Sequence, residues 1–274
     1  MYTVLSHDDL DGYGCIYLLR KLYPKIKTFT VPGANRINWG LFAGRSEKFY
    51  ITDLCLTPEA LEVARRNNDK VIYLDHHGED DGKPCGTWQV FEYIRYRRPE
   101  ILTKDDERFA RLVDVYDRWQ ETHPEWEQAV DLNANFFMLK GRAMRLPRRD
   151  AVNSILAGIA RPDEGLVRTY HMKVRQAVEE VEEKLKHLVD KNGNILIFTE
   201  RATVFNDTSI ICNHLLNDHP DARYVIMSFG DRVSVRSRAD DESFSCTDLP
   251  GIEGHKCAAG GFYSPELREF IGRR

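Results

Sequence analysis

Three short groups of residues carry side chains suited to holding divalent cations: His7-Asp8-Asp9-Leu10-Asp11-Gly12, Thr52-Asp53-Leu54 and Asp75-His76-His77. Imidazole nitrogens and carboxylate oxygens without a thiolate suit Mn²⁺ or Mg²⁺ and, less exclusively, Zn²⁺ or Fe²⁺. In an extended segment alternate side chains share a face, which would gather His7, Asp9 and Asp11 and turn Asp8 and Leu10 away. If the three groups end neighbouring strands of one parallel sheet, a single crevice collects Asp9, Asp11, Asp53 and Asp75, too many carboxylates for one ion. Two ions about 3.5–4 Å apart, bridged by one carboxylate, would relieve the repulsion, polarise a phosphoryl oxygen and generate a hydroxide nucleophile. As loop caps and a satisfied core histidine these residues would need no ion, but the conjunction of three such groups favours the metal reading.

An alternating pattern over the first 77 residues must position them. Residues 3–6, 29–31, 49–52 and 70–74 are strand-like, and residues 15–23 carry Ile16, Leu18, Leu19 and Leu22 at helix-like spacing. Thr57 and Pro58 form an N-cap and first helical residue ahead of a helix over 59–67. Strands alternating with such helices imply βαβ units and a parallel sheet, whose carboxyl-end loops bind ligands. Gly12 and Gly14 let the chain turn tightly into the first helix.

Residues 88–158 are mainly helical in pattern, and a long helix is expected over about 164–188, with an apolar seam of Val174, Val178, Val181, Leu185 and Leu188. After a turn at Lys191-Asn192-Gly193-Asn194 come strands over 195–199, 224–229 and 233–236, a helix over 208–216, and a Gly-rich loop from Gly254 to Gly261. The expected fold is α/β: a parallel-sheet catalytic domain over 1–165, a linker helix over 166–192 and a smaller α/β domain over 193–274.

Composition bounds the function. The 274 residues are 42% hydrophobic and 11% aromatic, with 18 Gly and 11 Pro, which excludes disordered and collagen-like chains. A formal charge of −4 excludes a general nucleic-acid coat, so a polyanion would be met locally. No run approaches the roughly 20 apolar residues of a membrane span, and MYTVLSHDDLDG lacks the basic start and apolar stretch of a signal peptide, so a cytoplasmic protein is expected. The six cysteines are scattered without a CxxC, as free thiols would be. The stretch 140–149 holds Lys140, Arg142, Arg145, Arg148 and Arg149, either a solvated face or a local nucleic-acid track. Trp39, Trp88, Trp119 and Trp126 are expected in the core, and His123, His171, His187, His214 and His219 as structural or exposed.

The motifs resemble those of the DHH phosphoesterases. Asp75-His76-His77 is the run that names that family, and His7-x-Asp9-x-Asp11 and the isolated Asp53 match its first two motifs. Arg236-Ser237 and Gly254-His255-Lys256-Cys257-Ala258-Ala259-Gly260 resemble the substrate-binding motifs of the first type of DHH-associated domain. The resemblance implies one metal held by His7, Asp9 and Asp53 and another by Asp11, Asp53 and His76, with Asp53 bridging. A fourth family motif supplies one more Asp, for which Asp114 and Asp117 are candidates; their spacing of three puts both on one helical face, so geometry does not choose. The family's frequent Asp two residues before a Trp prefers Asp117. Asp75 would orient a ligand and His77 contact the phosphate or the nucleophilic water.

In the second domain, Arg236 has the bidentate fork that fits a phosphate, beside Ser237. The backbone N–H groups around Gly254, His255, Gly260 and Gly261 could surround the same anion. Ile252 and Glu253 stand where the family often has further glycines, so Glu253 would point away from a phosphate or the grip differs.

The expected protein is a phosphoric ester hydrolase with two Mn²⁺, Mg²⁺ being the alternative, that degrades short oligonucleotides or single-stranded nucleic acid to mononucleotides. The family's long single-strand exonucleases commonly carry an extra nucleic-acid-binding domain, for which 274 residues leave no room, and this favours short substrates. A phosphatase or phosphodiesterase acting on a 3′,5′-bisphosphate nucleotide or a cyclic dinucleotide is the alternative, and a non-catalytic nucleotide-binding module the third reading.

Overall fold

The computed structural model describes all residues except 1, 35–36, 43–46, 69, 78–81, 185–187, 190–193, 200–206, 231, 239–240, 242 and 274; the side chains of 184, 188–189, 198–199, 229, 253 and 271–273 are likewise not described. The chain divides into two compact units, Met1–Val167 and Arg168–Arg274.

The first unit is built on four parallel strands, β1 (Tyr2–His7), β2 (Lys27–Val31), β3 (Lys48–Thr52) and β4 (Val71–Leu74), in the order β2-β1-β3-β4. The central strands are buried on both faces, so Val4-Leu5 and Phe49-Tyr50-Ile51 form continuous apolar runs rather than alternating ones. One face meets α1 (Leu10–Leu22) and the helices α3 (Gly86–Arg97), α4 (Lys104–Asp117), α5 (Trp126–Ala143) and α6 (Arg148–Gly158) through Ile16, Leu19, Val90, Ile94, Phe109 and Leu132. The other face meets α2 (Pro58–Asn67) through Leu5, Ile51, Leu54 and Ala64. Thr57 caps α2 by accepting the Ala60 N–H, with Pro58 opening the helix.

Two glycines set how closely α1 packs. A Cβ at Gly12 would stand 2.1 Å from the His7 carbonyl oxygen, and one at Gly14 2.2 Å from Thr87 Oγ1, so the helix lies directly on β1 and α3. At the start of α4, Thr103 and Asp106 form a capping box, and Asp106, almost fully buried, also pairs with Lys21 at 2.8 Å.

Helix α7 (Glu164–Lys184) runs from the first unit into the second. The second unit holds β5 (Leu188–Val189), β6 (Ile195–Thr199), α8 (Thr208–Asp218), β7 (Tyr224–Phe229), β8 (Arg232–Ser237), β9 (Ile252–Gly254), β10 (Ala258–Phe262) and α9 (Pro265–Arg273). Its sheet order is β5-β6-β7-β8-β10-β9, with β6 and β7 parallel and joined through α8 while the other pairs are antiparallel. None of the described helices is long and apolar enough to cross a membrane.

Two expectations change here. The long helix is described to Lys184, and Leu188 belongs to β5 paired with β6 rather than to the helix; Leu185 and the turn residues Lys191, Asn192 and Gly193 lie outside the described residues. The Gly-rich stretch is a β-hairpin rather than a loop: Ala259, Gly260 and Gly261 pair with Gly254, Glu253 and Ile252 on one side and with Val235, Ser234 and Val233 on the other. Its glycines serve packing, since a Cβ at Gly261 would stand 2.3 Å from the Gly251 carbonyl oxygen.

Candidate metal centre

His7 is the last residue of β1, Asp53 follows β3 directly, and Asp75, His76 and His77 follow β4, so neighbouring parallel strands deliver them to one edge of the sheet. Asp11 arrives differently from the expected alternation. The chain turns helical at Leu10, and Asp11 reaches the site from the first turn of α1, while Asp8 turns outward to Lys140 at 3.0 Å. Asp9 is the N-cap of α1: one oxygen accepts the Gly12 N–H at 2.9 Å and the other lies 2.5 Å from His7 Nδ1. The helix cap is thus also a candidate ligand.

Asp53 is the centre of the group. It is 1% exposed and has φ +49°, a left-handed conformation that a non-glycine residue holds only when its surroundings require it. Its Oδ1 lies 3.6 Å from His76 Nε2 and 4.0 Å from His77 Nδ1, and its Oδ2 lies 3.9 Å from His7 Nδ1 and makes no hydrogen bond. His76 Nε2 is also 3.9 Å from Asp11 and 3.2 Å from Asp117. The sets His7/Asp9/Asp53 and Asp53/His76/His77 each offer ligand atoms within 4.8 Å of one another.

The two candidates of the fourth motif separate. Asp114 accepts the Cys85 N–H at 2.7 Å and lies 3.6 Å from Arg118, whereas Asp117 faces His76. A cavity of about 60 Å³ opens between Asp9, Asp11, Asp117, Tyr116 and Asn133, room for an ion or a water. A larger one, about 500 Å³, lies around Tyr17, Lys21 and Arg161 and touches none of the candidate ligands.

Electrostatics shows why a cation would suit such a cluster. Burial, together with the charges of Asp9, Asp11 and Asp117, pushes the Asp53 carboxyl well above its ordinary range, and burial with Asp11, Asp9 and Asp114 does the same to Asp117. Burial pulls His76 down, so its imidazole is neutral and able to ligate. For His7, burial works in the same direction but the Asp9 carboxylate outweighs it and lifts the imidazolium to about 9. A buried carboxylate oxygen without a hydrogen bond, ringed by like charges and a neutral imidazole, fits a divalent cation in its donor chemistry.

Several contributors carry no ligand signature in the sequence. The N-terminus of α3 donates Gly86 N–H and Thr87 N–H, both at 2.7 Å, to the two oxygens of Asp11, and Cys85 N–H to Asp114. Helix-start amides and dipole thereby hold two carboxylates in place. Asn133 donates to the Tyr116 hydroxyl at 2.7 Å beside the small cavity. A Gly-Thr pair opening a helix was the only available hint.

In the second unit the expected substrate residues are differently disposed. Arg236 is 6% exposed, and its Nη1 donates to the Val235 carbonyl at 2.7 Å, so its guanidinium faces the interior rather than presenting an open fork. Ser237 is buried and donates to the Lys256 carbonyl at 3.3 Å. His255 sits half-buried in the hairpin turn, its N–H donating to the Ala258 carbonyl across the turn. Gly254, at φ +138°, and Gly260 and Gly261 lie in the hairpin strands. Of the basic stretch, Lys140 is tied to Asp8 and Arg148 donates to the Thr30 carbonyl at 2.8 Å, while Arg142, Arg145 and Arg149 are exposed.

A parallel sheet whose strand ends converge on carboxylates and imidazoles, the last of them running into Asp-His-His, agrees with the resemblance to the DHH phosphoesterases and supports a phosphoesterase of that kind. No protein-family model matches the chain. Among curated proteins it is similar to the oligoribonuclease NrnB of Bacillus subtilis (strain 168), 26% identical over 99% of this chain and 75% of the relative. Two solved structures share the fold. A pGpG-specific phosphodiesterase, PggH, from Vibrio cholerae has a TM-score of 0.58 at 16% identity, covering 100% of this chain and 97% of its own. The exonuclease RecJ bound to manganese has a TM-score of 0.59 at 17% identity, covering 99% and 88%.

Proposed function

We propose that the chain is a metal-dependent phosphodiesterase that hydrolyses short oligonucleotides, or the end of a single strand, to mononucleotides in the cytoplasm, using two Mn²⁺. The observation that carries this reading is Asp53: a buried carboxylate, held at φ +49°, whose oxygens face His7 on one side and His76 and His77 on the other. His7, Asp9 and Asp53 would hold one ion, and Asp11, Asp53, His76 and Asp117 the other. The bound ions would supply Lewis acidity toward the phosphoryl oxygen and a nucleophilic water at neutral pH. Asp11 is held by the α3 amides before substrate arrives, so little reorganisation of that carboxylate accompanies the reaction. Asp75 holds His77 through Nδ1 at 2.8 Å, leaving Nε2 as the nitrogen suited to move a proton near the phosphate. In the second unit, His255 is the proposed substrate contact, and Arg236 and Ser237 act by supporting its hairpin.

The preference for short substrates rests on the formal charge of −4 and on the relative named an oligoribonuclease. The test compares initial rates with Mn²⁺ on labelled di- to pentanucleotides, a longer single strand, a 3′,5′-bisphosphate nucleotide and a cyclic dinucleotide. Mononucleotide release, fastest from the short oligonucleotides, is expected; preferred turnover of the bisphosphate or the cyclic dinucleotide would replace the reading with the small-nucleotide one. Hydrolysis of none of them by protein carrying two ions would leave a binding module. Asp53→Ala is expected to lower the rate at least about a thousandfold, and Asp117→Asn far more than Asp114→Asn in metal stoichiometry; near-wild-type turnover by Asp53→Ala would sink the bridging role.

A further inference from the structure

Tyr73, two residues before the Asp-His-His run, lies in β4 and is half-buried. Its hydroxyl stands 2.9 Å from the Leu54 carbonyl oxygen and 2.9 Å from Asp75 Oδ2, and it accepts the Leu56 N–H at 3.2 Å. Leu54 and Leu56 belong to the loop that follows Asp53, whereas Asp75 opens the loop after β4. One hydroxyl therefore ties the loop of the central carboxylate to the loop of the two histidines. The other oxygen of Asp75, Oδ1, is 2.8 Å from His77 Nδ1.

We propose that Tyr73 is a positioning residue that acts through Asp75 to fix the tautomer and orientation of His77 and, through Leu54 and Leu56, the seat of Asp53. The phenol has one proton and two acceptors at equal distance, and an ionised carboxylate is the stronger of the two. Donation to Asp75 immobilises the carboxylate with Oδ1 toward His77, and a carboxylate that only accepts obliges His77 to carry its proton on Nδ1. Burial, opposed by the Leu56 N–H and reinforced by the Asp75 charge, pushes the Tyr73 phenol well up, so it stays a donor.

The role of His77 in turnover belongs to the proposed function, so the experiment has one arm that needs no turnover. In metal-free protein at a pH where the His77 ring is neutral, long-range ¹H–¹⁵N correlation of that ring is expected to show a single Nδ1–H tautomer in the wild type and a mixture in Tyr73→Phe. With Mn²⁺ and a dinucleotide, Tyr73→Phe is expected to lower kcat about ten- to a hundredfold with KM within about twofold. Replacing Tyr73 with 4-aminophenylalanine keeps a donor and an acceptor of the same shape and is expected to restore both readouts; this variant also serves should the Phe protein fail to fold. An unchanged tautomer in the Phe variant, or a mixed tautomer in the amino variant, overturns the proposal even where kcat falls. Should the wild type hydrolyse nothing, the proposed function fails while the tautomer arm still decides the role of Tyr73.

Discussion

At Asp53 the requirements of folding and of metal binding oppose each other. The residue is strained at φ +49°, and its burial and the charges of Asp9, Asp11 and Asp117 disfavour its ionised form. Its folded-state pKa is raised, so in metal-free protein the associated stability is complete below the ordinary value of 3.8 and is lost as pH rises through the raised one. Asp53→Asn removes that charge. In EDTA the variant is expected to be more stable than the wild type, by on the order of 1 kcal/mol at neutral pH, with the gap closing as pH falls toward 4. Urea melts of the two proteins across pH 4–8 measure this, and a gap that stays constant or reverses would contradict it. Manganese should reverse the ranking, because only the wild type retains the central carboxylate.

At the scale of elements, α3 is the part that organises the site without contributing a ligand. Its first amides take the carboxylates of Asp11 and Asp114, and its first residue must be glycine: a Cβ at Gly86 would stand 2.9 Å from Asp11 Oδ2, 3.0 Å from Asp53 Cβ and 3.1 Å from Cys15 Sγ. Gly86→Ala, though favourable for helix propensity, is expected to cost about 1–3 kcal/mol through overpacking and to weaken Mn²⁺ binding more than tenfold by displacing Asp11. Calorimetric titration with Mn²⁺ and a thermal melt read the two effects separately, and wild-type affinity in this variant would show that α3 does not position the centre.

Over the whole molecule, the formal charge of −4 includes the carboxylates gathered at the sheet edge, so the negative sign does not argue against a phosphate substrate. Two divalent ions would add four positive charges where the carboxylates converge and make that end of the sheet the positive point of the unit. His7, Asp9, Asp11, Asp53, His76 and Asp117 belong to the unit Met1–Val167, whose cores are distinct from that of the second unit. Binding only to the folded form stabilises it by about 2.7 kcal/mol per site at a hundredfold excess over Kd. Mn²⁺ should therefore raise hydrogen-exchange protection in β1, β3, β4 and α1 and leave β7 and β8 unchanged. Equal protection in both units would place the ions elsewhere.

The sequence by itself determined the candidate ligands and the order of most elements. His7, Asp9, Asp53 and the Asp75-His76-His77 run were legible because each ends an apolar strand-length run, and strand, helix and cap signals are local in the chain. The tertiary structure alone decided what depends on contacts between distant segments. The three-residue spacing of Asp114 and Asp117 left both open, and packing of α4 against α3 turns one to Cys85 and the other to His76. Pairing across β8, β9 and β10 made a hairpin of glycines that local composition read as a loop, and buried Arg236 where its charge suggested an open fork. Tyr73 looked like one more apolar strand residue until two loops about twenty residues apart met at its hydroxyl. Residue type and spacing specify which groups can react; only the packing of segments far apart in the chain specifies which of them meet.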